Sequence, residues 1–400
     1  MKLNDYRMSS KDEKEEWLIN YPITVGLRYF GGKSRIGKYL MNRIFNMAVK
    51  MDDDEKKADI FIDALTGGGK LGLSMPEGWF DTIVINDLDY GVVSYYQCCK
   101  DKPQALIEMI EVLGKDMNNT FFKLCAYNHN NRKTLQKAEN LKKRKHDQVY
   151  VSKEKVEPLL AAAMTYWLTK LDFMGKTSAV AVDYRLGANN VEKEAIRNEK
   201  EEIQNMIAFA RKEIPKISKI MHKKNVIIEN LDFRELIKKY NGKAYKNVDS
   251  TEYCTEELLA KKHKLWYFDP PYHPVTLSNK KDAPYEETFD IDTVREITSI
   301  LHNENIEEYG ELEYFIKSDY NPKYMYHFEK YGEIAIHDFD VLEENDSSST
   351  GFKSESDEVD YYVECIGEFP KGAVDSEGDR GIGREYIWCR GNYQGNIIGW

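Results

Sequence analysis

The stretch "ADIFIDALTGGGKLGL", Ala58 to Leu73, decides the fold. Its apolar start has the length of a buried strand, Asp63 closes that run, Gly67 to Gly69 supply a tight turn, and the remainder opens a helix. The plan repeats in "DTIVINDLDYGVVSYYQCCKD", where a strand over Thr82 to Ile85 is closed by Asp87 and followed by a helix. Two successive strand, turn and helix units predict a parallel α/β sheet of Rossmann type. Working outward, "NVIIENLDF" predicts a strand over Val226 to Ile228 with Asp232 after it, "LWYFDPPYHPV" a strand over Leu265 to Phe268, and "LEYFIKSDYN" a further strand. Before the deciding stretch, "LRYFGGKSRIGKYLMNRIF" reads as a glycine turn opening an amphipathic helix with Ile36, Leu40 and Ile44 at helical spacing.

The carboxylate in "WYFDPPYHPV" stands at a strand edge. Proline lacks a backbone donor and fixes φ, so Pro270 and Pro271 end the strand in a rigid turn with Asp269 at its mouth. In open α/β sheets ligands bind in the crevice outside the carboxyl ends of the strands, which makes Asp269 a candidate for chemistry. Asp-Pro-Pro is also an ordinary turn, and the residues alone leave both readings open.

Composition narrows the class. A 400-residue chain with 42% hydrophobic content can bury one large core or two ordinary ones. No run approaches the roughly 18 apolar residues of a membrane span, and the first residues lack the apolar segment of a signal peptide, so a cytoplasmic protein with no membrane partner is expected. The six cysteines include the adjacent Cys98 and Cys99 but no C-x-x-C spacing, which reads as reduced thiols with no zinc site. A net charge of -11 argues against a surface that binds nucleic acid throughout, because phosphate contacts need Lys and Arg. One segment departs from that balance: "NHNNRKTLQKAENLKKRKH" carries Arg132, Lys133, Lys137, Lys142, Lys143, Arg144 and Lys145 against Glu139 alone. It reads either as a phosphate-contacting face or as a solvated helix. The interval from Asp101 to Val226 is too long for a single crossover helix. Late in the chain, "EENDSSSTGFKSESDEVD" is acidic and serine-rich and reads as a solvated loop between two strands.

Neither glycine turn is a nucleotide-hydrolysing P-loop. Five residues separate Gly26 from Gly32, one too many, and Leu71 follows Lys70 where that motif needs a hydroxyl for magnesium.

Taken in order, these pieces resemble the Dam-like (D12 class) family of S-adenosylmethionine-dependent DNA adenine-N6 methyltransferases. The family's aromatic-x-Gly-Gly-Lys motif is similar to Tyr29, Phe30, Gly31, Gly32 and Lys33. Its acidic strand end with a glycine turn is similar to Asp63 through Gly69, its second strand-end Asp to Asp87, and its Asp-aromatic pair to Asp232 and Phe233. The catalytic Asp-Pro-Pro-Tyr is matched without change by Asp269, Pro270, Pro271 and Tyr272; Tyr285 and Phe289 suit the aromatic positions beyond it, and Ser318 the later strand end. Ala64 and Leu65 stand where the family usually has Pro and Phe. "YWLTKLDFMGK" is similar to its recognition segment, with Thr169, Lys170 and Met174 in place of Asn, Arg and Asn, so no recognised DNA sequence carries over.

The resemblance implies a Rossmann-like methyltransferase sheet with an inserted, mainly helical target-recognition domain. Residues 1–110 and 225–400 would form the two parts of the catalytic domain, and 111–224 the insertion. It implies S-adenosylmethionine as cofactor, no metal, double-stranded DNA as partner, and room for a cognate restriction endonuclease. The cofactor set would be Tyr29, Gly31, Lys33, Asp63, Gly67, Gly69, Asp87, Asp232 and Phe233. Within it Asp63 would serve the methionine amine, Lys33 its carboxylate, Asp87 the ribose and Asp232 the adenine amine. DNA would be met by Arg132, Lys133, Lys142, Lys143, Arg144 and Lys145 on phosphates, and by Phe173, Lys176 and Arg185 nearer the bases. The alternatives are methylation of RNA or of another amine, and a catalytically silent DNA-binding relative; the commoner Asn-Pro-Pro-Tyr of glutamine methylation makes Asp269 favour adenine.

Overall fold

The computed structural model describes residues 1–23, 26–29, 37–128, 156–172, 194–241, 262–270, 291–301, 303–319, 350–353, 360–370 and 382–390. The predicted strands are present as β1 (Ile60–Asp63), β2 (Thr82–Asn86), β3 (Val226–Glu229), β4 (Lys264–Phe268) and β5 (Phe315–Asp319), all parallel, in the order β3-β2-β1-β4-β5. The order reverses between β1 and β4. Strands added after β1 run one way to β3, and the later ones run the other way to β5, so the crevice at the carboxyl ends of β1 and β4 is the switch point of the sheet.

Three further strands extend the β5 edge. β6 (Thr350–Lys353), β7 (Asp360–Pro370) and β8 (Ile382–Arg390) are joined antiparallel, with β8 against β5. β6 corrects the expectation of an uninterrupted loop: Thr350 to Lys353 pair with Asp360 to Val363 across the acidic, serine-rich stretch. Thr350 and Phe352 favour a pleated conformation, and β7 offers a ladder of unpaired backbone groups to receive them.

Alternation along each strand divides the core in two. Phe61, Ile83, Ile85, Leu265, Tyr267 and Ile316 face one layer. Ile60, Ile62, Val84, Trp266, Phe268 and Phe315 face the other. The first layer begins with α1 (Leu3–Met8), α2 (Lys11–Asn20), α3 (Gly37–Asp53), α4 (Lys70–Ser74) and α5 (Tyr90–Asp101). The expected helix at Leu40 and Ile44 is α3, while Ile36 lies outside the described residues. Tyr6 and Trp17 of the first two helices pack on Phe45 of α3 and on Trp79. Tyr21, packed against Trp17 and Phe45 of this cluster, donates to Ser74 O at the end of α4 (2.7 Å).

Between β2 and β3 the chain adds α6 (Pro103–Lys115), α7 (Asn119–Asn128), α8 (Pro158–Leu171) and α9 (Glu194–Lys223). These helices share the core of the first layer: Trp167 of α8 donates to Ile110 O of α6 (3.1 Å), and Ile207, Ile214 and Met221 of α9 are buried in the same cluster. The second layer holds α10 (Phe233–Asn241), α11 (Ile291–Leu301) and α12 (Ile306–Tyr309), through Phe233, Leu236, Ile237, Ile297, Ile300, Leu301 and Tyr309. Among the described residues no helix is long and apolar enough to cross a membrane. Cys98, Cys99, Cys125 and Cys389 are buried and form no disulfide among the described residues.

Candidate active site

The strand-end carboxylates converge at the switch point. β1 is in register with β4 so that Asp63 sits opposite Tyr267, and Asp269 follows two residues on, roughly 7 Å further along the strand direction. Asp63 is 2% exposed. Its Oδ2 accepts from Thr66 Oγ1 (2.8 Å) and from the Gly72 amide (3.3 Å). Its Oδ1 is buried with no hydrogen-bond partner among the described residues. Burial pushes the carboxyl up to about 7; Thr66 and Gly72 oppose that, while the negative charges of Asp269 and Asp87 add to it. A buried acceptor left unsatisfied costs about 1–3 kcal/mol, so this atom is an opening for a donor from a ligand, and best for a cationic one.

The glycine turn follows Asp63, which accepts from Thr66 at its start. Gly67 (φ +48°) and Gly69 (φ +65°) are left-handed, a conformation that side chains other than glycine adopt at a cost, and the Gly69 amide returns to Thr66 O (2.8 Å). The Tyr29 ring lies against Gly67, 3.0 Å from where a Cβ would stand, so the aromatic of the upstream motif and the turn form one surface. Lys70 follows the turn at the start of α4, and burial first, then nearby Arg28, lowers its pKa.

Asp87, half-buried at the end of β2, accepts from the Gly67 amide (2.7 Å) and from the Asp89 amide (2.8 Å). Asp232, ahead of α10, accepts from the Arg234 amide (2.9 Å) and from Arg234 Nη1 (3.1 Å to each oxygen), and Arg234 in turn pairs with Glu296 of α11. Phe233 is buried beneath it, with the Arg234 guanidinium 4.4 Å from the ring centroid. Asp269 is half-buried and Pro270 is buried. Beside them the Tyr267 hydroxyl and Ser318 share a buried hydrogen bond (2.7 Å) that ties the ends of β4 and β5.

The structure thus brings Tyr29, Asp63, Gly67, Gly69, Asp87 and Asp269 to one crevice. Gly31, Lys33, Pro271, Tyr272, Tyr285 and Phe289 lie outside the described residues, as do Arg132, Lys133, Lys142, Lys143, Arg144, Lys145, Phe173, Lys176 and Arg185. Several groups that hold the site together are absent from the sequence reading. Asn86 donates to Ala64 O (2.9 Å) and Leu231 O (3.0 Å) and accepts from the Leu231 amide (2.9 Å), clamping the ends of β1 and β2 to the chain after β3. Asp89 caps α5 by accepting from Gly91 and Val92 amides, which a short polar residue before an apolar helix signals. Thr66 and Tyr96 carry no such local signal.

Among known families, the model of the D12 class N6 adenine-specific DNA methyltransferases matches residues 29–317. No curated protein matches the chain. The matched region starts at the tyrosine on the glycine turn and runs through Asp63, Asp87 and Asp269 into β5. The family's reaction requires a methyl donor and a DNA substrate, and its match covers well over half of the sequence: the chain belongs to the D12 class of N6 adenine-specific DNA methyltransferases.

Proposed function

We propose that the protein transfers a methyl group from S-adenosylmethionine to the exocyclic N6 amine of an adenine extruded from duplex DNA, at a specific sequence. The buried Oδ1 of Asp63, which has no hydrogen-bond partner among the described residues and stands just ahead of a left-handed glycine turn, carries the reading, because it is an acceptor suited to a ligand ammonium. When bound, S-adenosylmethionine supplies a methyl group already activated by its attachment to a cationic sulfur. Asp63 holds the amino group of the methionine moiety and Lys33 its carboxylate. Gly67 and Gly69 allow close backbone approach. Tyr29, Gly31 and Phe233 line the cavity, Asp87 accepts from the ribose, and Asp232 accepts from the adenine amine of the cofactor.

Adenine N6 is a poor nucleophile because its lone pair is delocalised into the ring. The Asp269 carboxylate accepts one N6 hydrogen and the Pro270 carbonyl the other, which draws the nitrogen towards tetrahedral geometry and frees the lone pair. Pro271 keeps that carbonyl fixed. Tyr272 stacks on the extruded base; extrusion costs a few kcal/mol and stacking recovers about 1–3 kcal/mol. The basic segment with Arg132, Lys133, Lys142, Lys143, Arg144 and Lys145 contacts phosphates from a target-recognition region within 111–224, where Phe173, Lys176 and Arg185 stand closer to the bases.

The test is transfer of labelled methyl groups from S-adenosylmethionine to duplex DNA, RNA and a glutamine-containing peptide in parallel. Incorporation into DNA as N6-methyladenine is the expected result. Label in RNA or peptide alone would replace the substrate, and a chain that does not bind S-adenosylmethionine would replace the cofactor.

A further inference from the structure

The glycine turn is held from a side that the reaction does not use. Tyr96, in the middle of α5, is fully buried, and its hydroxyl donates to Gly68 O while accepting from the Leu27 amide (3.2 Å). One oxygen thereby joins two stretches far apart in sequence, the one that carries Leu27 and Tyr29 and the glycine turn at 66–69, whose Thr66 donates to Asp63. The contact is tight on every side. A Cβ at Gly26 would lie 2.2 Å from Gly68 O, and a Cβ at Gly69 would lie 2.5 Å from the Tyr96 ring carbon and hydroxyl. Burial raises the phenol well above its ordinary pKa, so the hydroxyl keeps the proton that it donates. Asp87 grips the same turn from the end of β2 through the Gly67 amide.

Resting on the cofactor reading above, we infer that Tyr96 is a positioning residue for the cofactor: its hydroxyl sets the spacing between the stretch that carries Tyr29 and the glycine turn next to Asp63. Tyr96 touches neither cofactor nor base. Its loss therefore acts on cofactor affinity and leaves the catalytic turn at Asp269 as it is. The neighbouring Tyr95 is an internal control, since it is also buried on α5 but shares its hydrogen bond with Cys99 of the same helix.

The experiment compares Tyr96→Phe and Tyr95→Phe in the full chain by titration with S-adenosylmethionine and by initial rates on duplex DNA. Tyr96→Phe should raise the cofactor Kd and KM roughly tenfold, the scale of one lost buried hydrogen bond, with kcat at saturating cofactor and KM for DNA within about twofold of wild type. Tyr95→Phe should leave the cofactor constants unchanged. An unchanged cofactor Kd in Tyr96→Phe, or parallel losses in kcat and both KM values matched by Tyr95→Phe, overturns the inference. If Tyr96→Phe does not fold, Gly26→Ala probes the same spacing from the other segment; the same KM-against-kcat split is expected, and an unchanged cofactor Kd there overturns it. A wild type that does not bind S-adenosylmethionine would overturn the cofactor reading itself, a result distinct from normal binding by every variant.

Discussion

Asp63 and Asp269 close neighbouring parallel strands, yet the protein treats them in opposite ways. Asp63 is buried and already hydrogen-bonded on one oxygen, by Thr66 and the Gly72 amide. Asp269 is half-buried on the lip of the sheet, ahead of a proline. The first environment suits a fixed charge on a ligand that stays through the reaction. The second suits a base that arrives, reacts and leaves. On the proposed function, affinity for the cofactor and speed of transfer are built into different strand ends, and substitutions should separate them.

The largest effect should come from the lip. Asp269→Ala removes the acceptor proposed to prepare the N6 amine, and transfer to duplex DNA should fall by roughly 100- to 1,000-fold with cofactor Kd little changed. Near wild-type transfer would erase the distinction between the two carboxylates.

Asp63 should instead give a pH signature. Its folded-state pKa is raised to about 7, above the ordinary carboxylate value of 3.8. The stabilisation from that bound proton is fully present below the unfolded value and is lost as pH rises through about 7. The protein without cofactor should therefore lose stability between about pH 4 and pH 7. Cofactor affinity should run the other way, because an ammonium needs the ionised form: it should fall about tenfold per pH unit below 7 and level off above, with proton release on binding near neutrality. Asp63→Asn should flatten both profiles. Calorimetric titrations in buffers of different ionisation enthalpy read the proton directly; equal heats in all buffers would mean that Asp63 does not meet the cation.

Asp87 is the intermediate case, since it holds the turn through the Gly67 amide and, on the proposed function, the ribose as well. Asp87→Ala should weaken cofactor binding by about 1–3 kcal/mol with kcat at saturation nearly preserved. A folded variant of unchanged affinity would place the ribose elsewhere. The smallest effect on the crevice should come from the basic segment. Changing Lys142, Lys143, Arg144 and Lys145 together to Ala should weaken DNA binding for all sequences and flatten its salt dependence by roughly 0.9 of slope per lost phosphate contact, with the cofactor Kd unmoved. An unaltered salt slope would make that run a solvated segment.

What the sequence exposes and what it hides differ in range. The five parallel strands are legible because each is an apolar run closed by a local stop, such as Asp63 before the glycines or Asp269 before the prolines. Asp63, Asp87 and Asp269 are legible for the same reason. Asn86 is not, because its contacts reach 145 residues along the chain to Leu231. Tyr96 looks like one more apolar position of an amphipathic helix, and only the fold shows its hydroxyl between Leu27 and Gly68. Arg234 reads as a surface residue of α10, yet it joins Asp232 to Glu296, 62 residues downstream. The hairpin strand β6 is masked by its acidic, serine-rich surroundings, which announce a loop more strongly than Thr350 and Phe352 announce a strand.

The most direct measurement of the central claim is a map of N6-methyladenine in the DNA of a methylation-deficient host expressing the protein, with a host expressing Asp269→Ala beside it. The account predicts N6-methyladenine at one recurring sequence in the first host and background levels in the second. Unmodified DNA in both hosts, from a folded protein that binds S-adenosylmethionine, would contradict it.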